Sequence, residues 1–269
     1  MHAPGRPRAR RPWLPIVGAA LAVAAVCALA AWRPWVAPST PVAGADAAAA
    51  VTVAPAPLLL PDHARVLILG DSWVYGSAAI APTLGFAYLI GEHRGWDTVV
   101  DGVRGSGYLK PGIDGGSYGE RIAALNPDLD PELVIVEGSI NDRRLPATGY
   151  RSTVTAAWDQ LEVLYPDAQI VILGPAPQVL PVEKPTARID ADLSELAAQR
   201  GWWYISPITD EWLTPANYLS VIDTGLGKNH PSTDGHAYLA ERLDSSLAAL
   251  AEGTDVAADA PHDEELVGP

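Results

Sequence analysis

Four short clusters in this chain hold the side-chain types that acyl transfer requires. Gly70-Asp71-Ser72 offers a hydroxyl. Gly105-Ser106-Gly107-Tyr108 offers a glycine-bordered loop, and Gly138-Ser139-Ile140-Asn141-Asp142 offers an amide. His230-Pro231-Ser232-Thr233-Asp234-Gly235-His236 offers an imidazole. A serine hydroxyl becomes a useful nucleophile only beside a base. Glycine lets backbone N–H groups approach a tetrahedral oxyanion closely. An amide donates to that oxyanion without adding a competing charge, and one such donor is worth about 3–4 kcal/mol. Together the clusters can supply a nucleophile, a base and oxyanion donors, provided the fold brings them together.

The elements between the clusters are of the kind that would do so. Short apolar runs at 65–70 (RVLILG), 97–101 (DTVVD), 132–137 (ELVIVE), 169–174 (QIVILG) and 202–205 read as buried strands. Helical spacing covers 86–94, 118–125, 150–165, 185–200 and 233–250, with glycine stops after the first and fourth. A Ser/Thr/Asp cluster can cap the last helix. Strands and helices alternate, and the strands are apolar throughout, so both sheet faces are covered. Right-handed crossovers then predict a three-layer α/β/α sandwich on a five-stranded parallel sheet. Ligands bind such sheets outside the carboxyl ends of the strands. Each polar cluster falls at such an end or on the loop facing it. The long glycine-rich loop 102–119 belongs to the same edge.

Charge divides the rest of the chain. The 269 residues carry a formal net charge of −14. Residues 1–33 hold Arg6, Arg8, Arg10, Arg11 and Arg33 and no acid, so everything after them sums to −19. Basic residues followed by the apolar run 16–32 have the order of an export signal, and both a cleaved signal peptide and an uncleaved signal-anchor fit. The arginines are expected to stay in the cytoplasm and the following chain to face outward, secreted or anchored by the N-terminal segment. Cys27, the only cysteine, lies inside this run, so the body has no disulfide; Val26 before it reads against lipid attachment. Residues 34–61 form a Pro/Ala-rich linker. Residues 62–250 form the domain, and 251–269 an acidic disordered tail. The 49 glycines and prolines exceed ordinary usage but fall short of low complexity. A pI near 4.7 argues against a nucleic-acid partner.

With the blocks LILGDSW at 67–73, RGSGY at 104–108, EGSINDR at 137–143 and KNHPSTDGHAYLAERL at 228–243, the sequence resembles the SGNH hydrolases, also called the GDSL-type lipase/esterase family. Any one block is weak; four in order, each at its expected strand, are a strong combined signal. The resemblance covers 65 to about 250 and implies the family's flavodoxin-like fold. It implies that Ser72 is the nucleophile and His230 the general base and later acid. The backbone N–H groups of Ser72 and Gly105 and the amide of Asn141 would form the oxyanion hole. It implies no metal and no cofactor. The expected activity is hydrolysis of an acyl ester, acetyl included, carried by a small molecule, glycan or lipid. An envelope acyltransferase and a non-catalytic glycan- or lipid-binding module are the alternatives.

Two departures from the family pattern stand out. Ser139 occupies the place, two before Asn141, where the family has glycine. Position 227, three before His230, is Gly227 where the family has the orienting acid. Asp223 could reach back to His230, a backbone carbonyl of the loop could accept from it, or activity could be weak or lost. Losing the orienting partner can cost on the order of 10⁴ in rate. Other polar residues have plainer readings. Asp71 and Asp142 brace loops, His236 is structural at a helix start, and His63 and His93 lie on the surface. His230, Asp234 and His236 match no zinc spacing, and 102–119 is not a phosphate-binding loop. Arg143–Arg144 could attract an anionic substrate, though a solvated pair is the plainer reading. Trp73 and Trp212 are candidates for lining the site, with core packing as the alternative.

Overall fold

The protein is described here from a computed structural model, over residues 55–253. The expected leader (1–33), the linker up to 54, Cys27 and the acidic tail from 254 lie outside the described residues. Among the described residues, no helix is long and apolar enough to cross a membrane.

Five parallel strands form the central sheet: β1 (Arg65–Gly70), β2 (Asp97–Gly102), β3 (Leu133–Glu137), β4 (Gln169–Leu173) and β5 (Trp203–Ile205), in the order β2-β1-β3-β4-β5. The order reverses between β1 and β3, which opens a crevice at their carboxyl ends. The α-helices are α1 (Phe86–Arg94), α2 (Tyr118–Ile122), α3 (Tyr150–Leu164), α4 (Lys184–Arg200), α5 (Tyr218–Val221) and α6 (Thr233–Glu252). Strand alternation builds two cores. Val66 and Ile68 of β1 face one side, packed with Ile90 of α1 and Leu239, Leu243 and Leu247 of α6. Leu67 and Leu69 face the other, packed with Tyr118 of α2, Trp158 of α3 and Ile189 and Leu193 of α4. The expected three-layer sandwich and its five-stranded parallel sheet are therefore present.

Several boundaries differ from the sequence reading for local reasons. The helix expected over 118–125 stops at Ile122, and the chain turns extended at Asn126, as the residue before Pro127 must. The last helix continues to Glu252 and ends on left-handed Gly253, so the body extends two residues into the expected tail. The last part of the linker is docked on the domain. Leu58 is buried and its N–H donates to the Leu250 carbonyl. The Leu59 N–H and carbonyl pair with the Gln169 amide at 2.7 Å each, and the Trp203 indole donates to the Ala56 carbonyl. Two small elements escaped the sequence reading: β6 (Ile222–Asp223) and β7 (His230–Pro231), two-residue strands paired antiparallel.

Trp73 and Trp212, candidates for the site, are packed in the first core instead, each 2 % exposed. His236, at the start of α6, is fully buried as expected of a structural residue. Its Nδ1 accepts from the Phe86 N–H at 3.3 Å and its Nε2 donates to the Ser77 carbonyl at 3.1 Å, so this one ring ties α6 to the loop after β1. His63 lies at the surface beside the Gly95 carbonyl, and His93 lies 3.8 Å from Asp244.

Burial lowers the His236 pKa from 6.5 to about 4. The ring is neutral in the fold but protonates in the unfolded chain below pH 6.5. Its stabilising contribution is therefore complete above pH 6.5 and is lost as pH falls toward 4. Denaturant titrations across this window are expected to show wild type losing up to about 3 kcal/mol relative to His236→Gln. A stability difference that stays constant with pH would contradict this account.

Candidate active site

Ser72 follows β1 on a tight turn in which the Tyr75 N–H donates to the Asp71 carbonyl and the Ser77 N–H to the Ser72 carbonyl. His230 comes from β7, on the far side of the sequence. The fold places its Nε2 2.9 Å from Ser72 Oγ. Its Nδ1 lies 2.7 Å from the Gly227 carbonyl oxygen. A carbonyl can only accept, so Nδ1 carries the proton and Nε2 presents its lone pair to the serine hydroxyl. This is the tautomer a general base requires.

The β6–β7 loop builds this acceptor from the backbone. Asp223 pairs with His230 across the ladder, and the Asn229 N–H donates to the Asp223 carbonyl at 2.8 Å. Lys228 and Asn229 are both left-handed, with φ of 50° and 64°. The reversal they make turns the Gly227 carbonyl toward both the His230 N–H and its ring. Gly227 has no room for a side chain: a Cβ there would lie 2.6 Å from Asp223 Cβ and 2.8 Å from Ala78 Cβ. The Asp223 carboxylate, one of the alternatives for orienting the base, accepts from the Gly225 N–H at 2.8 Å. Of the open alternatives, the structure places the backbone carbonyl against Nδ1.

The expected oxyanion donors converge on the same crevice. Ser72, Gly105, Asn141 and His230 all line one cavity of about 540 Å³. Among the described residues the backbone N–H groups of Ser72 and Gly105 have no hydrogen-bond partner. Gly105 takes φ +74°, a conformation that favours glycine. Asn141 Nδ2 donates to Asp71 Oδ2 at 3.1 Å and to the Ser106 carbonyl at 3.0 Å, which holds the amide at the crevice. Ser139, which stands where the family pattern has glycine, is left-handed at φ +67°, directly after left-handed Gly138. Two tyrosines secure this turn. The Ser139 N–H donates to the Tyr118 hydroxyl, and its Oγ bonds the Tyr150 hydroxyl at 2.6 Å.

Buried carboxyls hold the loops together. Asp142 accepts from the Tyr108 N–H at 2.7 Å and the Leu109 N–H at 3.2 Å, tying the turn after β3 to the loop after β2. Burial raises its pKa to about 6, against those two backbone donors. Asp71 accepts from the Trp73 N–H at 3.0 Å, and its pKa is also raised to about 6, chiefly by burial. Beneath it lies Glu137, which sequence reasoning missed. Glu137 Oε2 accepts from the Asp71 N–H at 3.2 Å. Burial first, and the neighbouring Asp71 charge second, push its carboxyl well above the usual range. Arg121 was missed too. Its guanidinium donates to the Gly70 carbonyl at 2.9 Å and Ser106 Oγ at 3.1 Å and pairs with Asp101, clasping the ends of β1 and β2. Neither residue has a local signal: one reads as a strand end, the other as an ordinary helical arginine. Among the described residues no group of three or more His, Cys, Asp or Glu side chains is placed to hold a metal.

Comparison with known proteins bears on the family and the fold. The model of the GDSL-like lipase/acylhydrolase family matches residues 68–238. No curated protein matches the sequence. Among solved structures, the M. smegmatis aryl esterase is similar at 15 % identity and a TM-score of 0.53, over 70 % of this chain and 99 % of that one. Est24, a carbohydrate acetylesterase from Sinorhizobium meliloti, is similar at 14 % identity and a TM-score of 0.55, over 70 % and 99 %. A family two carbohydrate esterase from Clostridium thermocellum is similar at 15 % identity and a TM-score of 0.53, over 70 % and 64 %. At these identities the likeness is one of fold.

The crowding at Gly227 makes a specific prediction. Gly227→Ala and Gly227→Asp must both displace Asp223 or Ala78, and with them the carbonyl that orients His230. The rate at which a fluorophosphonate modifies Ser72 is expected to fall by about tenfold to a hundredfold in each, as for an ångström-scale misplacement. A faster rate in Gly227→Asp would show that a carboxylate can be accommodated there and would contradict the geometry.

Proposed function

The chain belongs to the GDSL-like lipase/acylhydrolase family, a family of esterase-like hydrolases, and from that premise we propose that it is a serine esterase acting through an acyl-enzyme. The observation that carries this reading is the continuous chain of contacts from the Gly227 carbonyl through His230 to Ser72, at 2.7 and 2.9 Å. Ser72 Oγ attacks the ester carbonyl carbon while its proton passes to His230 Nε2. The oxyanion that forms meets the free N–H groups of Ser72 and Gly105, and the Asn141 amide joins them by giving up one of its two bonds, to Asp71 or to the Ser106 carbonyl. Collapse expels the alcohol, which takes the proton from Nε2. Water then enters, gives a proton to the same nitrogen and attacks the acyl carbon. Ser72 leaves as the alcohol, and the carboxylic acid is released.

The same contacts favour turnover over a binding-only module, because binding does not need a base aligned on a buried hydroxyl. The cavity suits a short acyl group, acetyl among them, on a sugar or other small alcohol. Transfer to an acceptor alcohol instead of water would use the same acyl-enzyme. The basic, then apolar, N-terminal segment supports a place outside the cytoplasm, secreted or held at the membrane. Residues 1–61 fused to alkaline phosphatase are expected to yield active phosphatase in a bacterial host; an inactive fusion retained in the cytoplasm would refute export.

Hydrolysis of 4-nitrophenyl acetate tests the reaction. Ser72→Ala and His230→Ala are each expected to abolish turnover above background. Asn141→Ala is expected to lower kcat by about 10²–10³, the cost of one oxyanion donor. Asp223→Asn keeps the acceptor for the Gly225 N–H and is expected to stay within about threefold of wild type, whereas loss of a base-orienting carboxylate costs about 10⁴. A folded protein that neither reacts with fluorophosphonate nor hydrolyses any ester would remove the esterase reading.

A further inference from the structure

The cavity wall is charged oppositely to the chain that surrounds it. The protein carries −14 overall, yet no Asp or Glu lines the cavity, while Arg104, Arg143, Arg144 and Lys228 do. Two of these cations are already neutralised. Arg104 pairs with Asp114. Arg143, 8 % exposed, pairs with Glu183 at 2.9 Å and also donates to Gln178 and the Ile140 carbonyl. Arg144 and Lys228 are different: their side chains have no hydrogen-bond or ion-pair partner among the described residues.

The positions of these two are what matter. Arg144 ends the short 3₁₀ turn Ile140–Arg144 that presents Asn141. Lys228 lies two residues before His230, in the left-handed reversal that aims the base. Both are exposed residues that line the cavity, one on the turn that carries Asn141 and the other on the loop that carries His230. Cations from separate loops, without partners and in a cleft free of carboxylates, concentrate positive potential where a substrate must sit.

We propose that the site takes an ester that bears an anionic group, such as a carboxylate, sulfate or phosphate, close to the scissile carbonyl, with Arg144 and Lys228 binding that group. The proposal rests on the esterase reading and names its substrate class. The anionic group can belong to the acyl part or to the alcohol, and the test separates the two.

Three chromogenic esters are compared at low salt: neutral 4-nitrophenyl butyrate, mono-4-nitrophenyl glutarate with its carboxylate on the acyl part, and 3-butyryloxy-4-nitrobenzoate with its carboxylate on the alcohol. Each kcat/KM is divided by the ester's rate of alkaline hydrolysis to remove intrinsic reactivity. One anionic ester is expected to exceed the neutral one by about tenfold or more, with the gap shrinking severalfold in about 0.5 M salt. The anionic-to-neutral ratio is expected to fall about tenfold in Arg144→Gln/Lys228→Gln, as the charge attraction is lost. The ester that wins identifies which part carries the charge. Equal values for all three, or a ratio unchanged in the double variant, overturn the proposal and leave the esterase reading standing. If no ester turns over, the esterase reading falls. The charge claim is then decided by equilibrium dialysis of 3-hydroxy-4-nitrobenzoate against its neutral amide. A preference for the acid that disappears in the double variant supports the claim, and equal binding overturns it.

Discussion

A single carbonyl oxygen determines whether the four sequence clusters amount to a site. Ser72, Asn141 and Gly105 can be placed by the sheet alone, because each sits at or near the end of a strand with fixed register. His230 cannot, because an imidazole at the end of a two-residue strand is free to rotate and to exchange tautomers. The Gly227 carbonyl removes both freedoms at once. It also lends the imidazolium formed during attack only a dipole, where an aspartate would lend a full negative charge. The oxyanion donors must therefore carry more of the transition-state stabilisation, and the structure leaves two backbone N–H groups free for that task.

Beneath the nucleophile the constraint is electrostatic. Asp71 and Glu137 are buried together, and two full charges in so small a volume are untenable. Each carboxyl therefore raises the cost of ionising the other, while Asp71 holds Asn141 and the turn after Ser72. Arg121 lies close enough to lower the cost for both. The nucleophile thus rests on a polar floor inside an apolar sheet, tied by Asp71 to the end of β3 and to the turn that follows it. A rigid base of this kind suits a reaction whose geometry must not relax between attack and collapse.

Most of the fold and the chain positions of the site were legible in the sequence, because both depend on patterns that are local. Five apolar runs ended by glycine or by a polar cluster gave the sheet, and the clusters themselves marked its reactive edge. What could not be read depends on distant parts meeting. A loop carbonyl was one of the partners the sequence left open for His230; the choice among them is set by the handedness of Lys228 and Asn229, which no side-chain pattern announces. Trp73 follows the nucleophile directly yet turns into the core, because the Asp71 carboxylate draws the Trp73 N–H and bends the chain there. Glu137 reads as the polar end of a strand, and only the sheet order places it under Asp71. The convergence of Arg144 and Lys228 on one cavity likewise depends on loops more than eighty residues apart in sequence.

The docked segment before β1 gives the domain a direction. Ala56 and Leu59 are fastened to Trp203 and Gln169, the first residues of β5 and β4. Leu58 is fastened to the far end of α6. All of these points lie at the amino ends of the strands, while the cavity opens at the carboxyl ends. Ala56–Leu59 is therefore held at the opposite end of the sheet from the catalytic crevice. The docked segment leaves the cavity uncovered, since none of the residues 55–60 is among those that line it.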